Sequence, residues 1–156
     1  MAPSPRAPDA PVTEAPMFVS RRHTHTVRVA YQDTDKAQVV HHAAYFRFLE
    51  AARVEFWREG GLDYRVFEEE TGLGLPVVEA KLRYRAAARF DDLLDVETWI
   101  ASVTRASMWY GAQIRRKGAI LFDGSVRLAC VSFAEGQLRK MPDRVLDACL
   151  LAGYEI

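Results

Sequence analysis

The chain has 156 residues, 49% of them hydrophobic and 27% charged, and its 21 basic and 21 acidic side chains cancel to zero net charge. That length suits one domain with an ordinary core. The neutral total argues against a dedicated nucleic-acid binder, which carries a basic excess. The first sixteen residues hold Pro3, Pro5, Pro8, Pro11 and Pro16, five of the seven prolines. Such a segment cannot bury enough apolar surface to order itself. Residues 1–20 are therefore expected to be a disordered tail, with Met17 a second candidate start, and residues 21–156 the folded domain. No apolar run approaches the roughly 20 residues of a membrane span. Two cysteines, Cys130 and Cys149, are too few for a disulfide framework and read as reduced core thiols of a cytoplasmic protein.

In chain order, Val27, Val29 and Tyr31 alternate with Thr26, Arg28 and Ala30, which predicts a strand over 23–31. A polar loop follows to His42. Over 43–59 Tyr45, Phe48, Leu49, Ala52 and Phe56 recur at three- and four-residue spacing, the mark of an amphipathic helix. Gly60 and Gly61 stop it, and 63–70 reads as a second, short helix. From Pro76 the period becomes two. Val78, Ala80, Leu82 and Tyr84 alternate with Glu79, Lys81, Arg83 and Arg85, giving a strand with one dry and one charged face. Strands are also predicted over 94–102, 107–117 and 119–133, the last with Gly124 as a candidate bulge. Pro142 opens a closing helix. One long helix after the first strand, then about four strands at the 8–12-residue spacing of antiparallel structure, predicts an α+β fold. In it a curved antiparallel sheet wraps around the helix, and the outer face of the sheet stays exposed unless a second subunit covers it.

The segment from Tyr31 to His42 places two acids and two histidines where the loop becomes the helix. A helix N-terminus offers unpaired N–H groups and partial positive charge, which can hold a carbonyl oxygen as it becomes an oxyanion. A carboxylate opposite could attack the carbonyl carbon or activate water, which is acyl transfer to water. From turn and cap preferences alone, Asp at such a place is more often a cap or turn residue.

The run YQDTDKAQVVHHAAYFRFLEAAR resembles the motif of hotdog-fold acyl-CoA thioesterases of the 4-hydroxybenzoyl-CoA thioesterase family. The likeness is greatest to the YbgC-like branch associated with the Tol-Pal envelope system. The motif positions are Tyr31, Asp33, Thr34, Asp35, Val39, Val40, His42, Tyr45, Glu50 and Arg53. LRYRAAARFDDLLDVETWI and LRKMPDRVL are similar to later parts of the family, so the resemblance covers about residues 23–147. It implies a hotdog fold with sites at a dimer interface, and a thioester hydrolase acting on acyl-CoA or an acyl carrier protein. Asp35 would be the catalytic carboxylate, as nucleophile or general base. At His42 the helix N-terminus would polarise the carbonyl. Tyr31, Val40, His41, Tyr45, Glu50, Arg83 and Arg85 are the implied substrate contacts. Coenzyme A enters as part of the substrate, with no cofactor and no metal. The implied assembly is a homodimer or homotetramer, without nucleic acid or membrane insertion. Two positions depart from the family pattern. Gln38 stands where Gly is usual, and since Gln accepts positive φ poorly the loop is expected to take another path. His41 stands where Tyr is common.

Plainer readings stand beside several of these. Glu50 and Arg53 lie one helical turn apart and are expected to form an ion pair. Asp33 reads as a turn residue. The clusters Lys81-Arg83-Arg85-Arg89 and Arg115-Arg116-Lys117 suit phosphate but equally a solvated strand face. Met108, Trp109 and Tyr110 read as core or interface packing. His23 and His25 share one strand face, without further metal ligands. A hotdog subunit that binds an acyl carrier or an envelope partner without turnover is the non-enzymatic alternative.

Overall fold

A computed structural model describes residues 19–20, 22–151 and 154–155. The elements are β1 (Val19–Ser20), β2 (His23–Arg28), a 3-10 turn (Tyr31–Asp33), α1 (Ala44–Glu59), α2 (Tyr64–Thr71), β3 (Leu73–Gly74) and β4 (Val77–Tyr84). They continue with β5 (Leu93–Val103), β6 (Ser107–Arg116), β7 (Ala119–Ala129), β8 (Val131–Ser132), α3 (Asp143–Leu151) and β9 (Tyr154–Glu155). The main sheet has the order β2-β5-β6-β7-β4 and is antiparallel throughout. Two small pairs, β1 with β9 and β3 with β8, flank it. The proline-rich tail and Met17 lie outside the described residues, whereas Val19 and Ser20 pair with Glu155 and Tyr154.

The helical period places Tyr45, Phe48, Leu49, Ala52, Phe56 and Trp57 of α1 in the core. The inner face of the sheet supplies Leu94, Val96 and Ile100 from β5, Met108, Tyr110 and Ile114 from β6, and Phe122, Val126 and Leu128 from β7. Period two on the strands and 3.6 on the helix thus meet in one continuous core. This is the α+β, helix-on-sheet arrangement expected of a hotdog fold. Asp63 caps α2, its side chain accepting the Val66 N–H at 3.1 Å. Cys130 and Cys149 are buried free thiols, and burial pushes Cys149 up to about 12.

The elements differ from the sequence reading in three instructive places. The first strand ends at Arg28, because the chain turns through a 3-10 element at Tyr31 rather than continuing the alternation. The long last strand is interrupted at Cys130, and its end, β8, leaves the main sheet for β3. Gly124 is not a bulge: it pairs in regular register with Leu82 and Ala112. It is glycine because a Cβ there would collide with the Lys81 carbonyl oxygen of β4. The register shifts fall elsewhere, at Val77/Glu79, Ile100/Ser102 and Ile114/Arg115.

The strand with the clearest alternation, β4, does not have a dry face. It lies at the edge of the sheet, and Val78 and Tyr84 are 49% and 44% exposed. The opposite face of β4 carries Glu79, Lys81 and Arg83. There Lys81 sits over the Trp109 ring at 5.6 Å, and Arg127 shares that ring and pairs with Glu79. Met108 and Tyr110 point into the core and Trp109 outward, so the triplet divides between the faces. His23 and His25 share a half-buried face of β2, where His23 Nε2 lies 2.8 Å from Glu59.

Candidate active site

The loop between β2 and α1 is a small hairpin. Thr34 and Val40 form an antiparallel bridge, the Asp35 N–H donates to the Val39 carbonyl at 3.0 Å, and the Gln38 N–H donates to the Asp35 carbonyl at 2.9 Å. Gln38 takes up a left-handed backbone with φ 63°. The expected diversion of the loop therefore does not occur at this residue: a positive-φ turn is kept with a side chain in place of glycine. Such a conformation costs an L-residue roughly 1–2 kcal/mol. Hydrogen bonds across the hairpin oppose that cost, as does Arg89, whose guanidinium donates to the Gln38 carbonyl at 3.3 Å.

The two acids of the loop have different environments. Asp33 is buried, accepts the Ala30 N–H at 2.8 Å, and receives Arg47 of α1 on both carboxylate oxygens at 2.6 and 2.5 Å. It anchors the hairpin to the helix. Asp35 is exposed and accepts only the Ala37 N–H, at 2.8 Å on Oδ1. Its other oxygen has no protein partner among the described residues.

After the hairpin the chain enters α1 through His41 and His42. The His41 N–H donates to the Asp33 carbonyl at 2.8 Å and the Ala44 N–H to the His41 carbonyl at 2.9 Å. The Ala43 N–H donates to His41 Nδ1 at 3.2 Å. The Tyr84 hydroxyl donates to the His42 carbonyl at 2.8 Å. The His42 N–H has no hydrogen-bond partner among the described residues. The two imidazoles are exposed and lie 4.2 Å apart. Beneath them Tyr45 is buried, stacked on Phe122 at 5.2 Å and edge-on to Tyr84 at 5.1 Å. Burial raises the pKa of both phenols. Val40 is buried, its N–H donating to the Ala88 carbonyl at 2.8 Å. At the rim Tyr31 is 79% exposed and meets Phe90 edge-on at 5.5 Å.

Asp35, His41, His42, Val40, Tyr45 and Tyr31 therefore belong to one loop-and-helix junction. Arg83 and Arg85 do not join them. Arg83 stands on the outer face of β4, and Arg85, just past its end, is bound to Asp123 at 2.8 Å. Glu50 and Arg53 do not form the expected ion pair. Arg53 is buried beside Tyr110 and Tyr64, with burial pulling its pKa down, and the field of the exposed Glu50 reaches it without contact. Tyr84, Arg47 and Phe90 are site neighbours that the sequence reading did not single out, and Arg89, named there as part of a basic cluster, binds the Gln38 carbonyl. Tyr84 carried a signal in its hydroxyl, the only polar group on an otherwise apolar strand face. The pairing of Arg47 with Asp33 spans fourteen positions and had none.

The described residues contain no helix long and apolar enough to cross a membrane. Residues 29–149 match the thioesterase-like superfamily. The chain belongs to that family. It is 35% identical to the acyl-CoA thioesterase YbgC of Haemophilus influenzae over 78% of its length and 90% of the relative's. Among solved structures, a hypothetical protein of Thermus thermophilus superposes with a TM-score of 0.76 at 32% identity, covering 85% of this chain and 98% of that one. A probable thioesterase of Bartonella henselae gives 0.75 at 28% identity, with 78% and 100% covered.

Proposed function

We propose that this chain is an acyl-CoA thioester hydrolase with its reacting centre between Asp35 and the N-terminus of α1. The observation that carries the assignment is that one loop-and-helix junction holds a carboxylate with one oxygen, and a backbone N–H, that have no partner among the described residues. The His42 N–H and the positive end of the helix dipole receive the thioester carbonyl oxygen as negative charge grows on it. Asp35 then acts at the carbonyl carbon by one of two routes. As nucleophile it forms a mixed anhydride and expels the thiolate, and water afterwards cleaves the anhydride. As general base it takes a proton from water, whose oxygen attacks instead. Both routes yield the free acid and the thiol. Single turnover in 18O-water tests the first route, since label enters Asp35 only when water attacks the Asp35 carbonyl of an anhydride.

Tyr31 and Phe90 form an aromatic rim for the acyl or pantetheine portion, and Val40 and Tyr45 form the floor. Arg83 has no ion-pair partner among the described residues, so on the outer face it is the free cation for coenzyme A phosphates, while Arg85 is engaged by Asp123. Two buried free thiols favour the reducing cytoplasm.

A homodimer completes this reading. The Lys81 carbonyl points to Gly124 of β7, so Ala80 and Leu82 direct their backbone groups to the open edge. Two copies paired antiparallel about Ala80 set Glu79 of each strand opposite Lys81 of the other and cover the exposed apolar face of β4. On the outer face of the sheet Trp99 is already covered by Arg22, and Trp109 by Lys81 and Arg127. That face would present charge rather than apolar area to a second dimer. The functional test is thiol release from a panel of acyl-CoA esters that differ in chain length and aromaticity. No release above background from any ester, by a protein that purifies with a bound protein partner, would favour the non-catalytic reading.

A further inference from the structure

The peptide group between His42 and Ala43 is held at both ends. Its carbonyl accepts the Tyr84 hydroxyl at 2.8 Å and its N–H donates to His41 Nδ1 at 3.2 Å. The peptide before it is held at its carbonyl alone, by the Ala44 N–H, which leaves the His42 N–H free. The N-cap of α1 is Ala43, whose methyl group accepts no hydrogen bond, and the imidazole of His41, two positions earlier, takes the N–H of Ala43 itself. Tyr84 is itself braced, edge-on to Tyr45 at 5.1 Å and to Phe122 at 5.4 Å.

We propose that His41 and Tyr84 are positioning residues that pin the His42–Ala43 peptide and so aim the His42 N–H at the substrate carbonyl. The proposal rests on the thioester-hydrolase reading above and adds two side chains to it. Neither touches the reacting atoms. The His42 N–H belongs to the preceding peptide, whose carbonyl the Ala44 N–H holds, and that peptide hinges at the His42 Cα on the pinned one, so bonds from β4 and from the loop together set the frame from which the N–H points. Because His41 Nδ1 is an acceptor, its ring carries the proton on Nε2. Either pin lost alone leaves the peptide free to swing about the other, so the two act as one device.

The test is a cycle of Tyr84→Phe, His41→Ala and the double variant, with His41→Asn as the conservative replacement, since its side-chain oxygen can also accept the Ala43 N–H. The catalytic readout is kcat and KM on whichever acyl-CoA ester the wild type hydrolyses. The physical readout is amide hydrogen exchange at Ala43 by NMR. Each single variant is expected to lower kcat about tenfold to a hundredfold, the scale of a misaimed group, with KM within about twofold and the melting temperature unmoved. The double variant is expected to fall little further, because both act on one peptide. His41→Asn recovers most of the loss, and Ala43 exchanges slowly in the wild type and fast in His41→Ala. Variants with native kcat, variants altered in KM alone, or an unprotected Ala43 amide in the wild type would each overturn the pins while leaving the hydrolase reading intact. A wild type that hydrolyses no thioester overturns the hydrolase reading, and the aiming role with it.

Discussion

Asp33 and Asp35 lie two positions apart on one hairpin, yet the fold treats them in opposite ways. Asp33 is buried, accepts a backbone N–H and receives the Arg47 guanidinium on both oxygens. Asp35 is exposed and leaves one oxygen without a partner among the described residues. A carboxylate whose lone pairs are filled by the protein holds a structure together but has little left for a substrate. A carboxylate with a free oxygen contributes little to holding the loop and can be spent on chemistry. The hairpin keeps the two functions apart by burying one acid and turning the next outward.

The largest expected effect follows from that contrast. Asp35→Asn should lower kcat on an acyl-CoA ester by about 10²-fold or more, while the thermal midpoint stays near that of the wild type. Near-native turnover would remove Asp35 from the chemistry. Asp33→Asn should show the reverse signature. Taking one charge from a buried pair costs about 1–3 kcal/mol, read as a lowered denaturation midpoint, with turnover per folded molecule largely kept. A variant that loses activity at full stability would erase the division between the two acids. His42→Ala should cost less than tenfold in kcat, because alanine keeps the backbone N–H that faces the carbonyl. A loss as large as that of Asp35→Asn would give the imidazole its own part in the reaction.

The smallest effect concerns a third acid, Asp92, which braces the neighbouring loop. Burial alone would raise its pKa, but the Arg89 N–H and the Arg116 guanidinium outweigh that and hold it below the ordinary carboxylate value. With the folded value depressed, the stabilisation is complete above the unfolded value and is lost as pH falls through the folded one. Arg116→Gln should therefore lower stability at neutral pH by no more than about 1 kcal/mol. Its gap to the wild type should close as pH falls below about 4. A gap that does not change with pH would show that Arg116 acts by packing.

Much of the fold was legible because it depends on local periodicity. The helix from Ala44 to Glu59 was visible in the spacing of Tyr45, Phe48, Ala52 and Phe56, and β5 and β6 in simple alternation. Where alternation misled, the cause was non-local. An apolar strand face such as Val78 to Tyr84 reads the same whether it is covered or at an open edge, since strand order in the sheet is not written in the strand. Gly124 looked like a bulge because the Lys81 carbonyl that requires it belongs to another strand.

The site divides along the same line. The residue types and spacing from Asp33 to His42 were enough to propose acyl chemistry and to place it at a helix start, because caps, turns and helix dipoles act over a few residues. Which acid is buried and which tyrosine reaches the His42 carbonyl were set by contacts across 14 and 42 positions. The sequence alone determined the elements, the chemical groups at their junction and the family resemblance. The tertiary structure decided which of those groups are satisfied by the protein and which are left free, because satisfaction of a polar group depends on partners brought from distant parts of the chain.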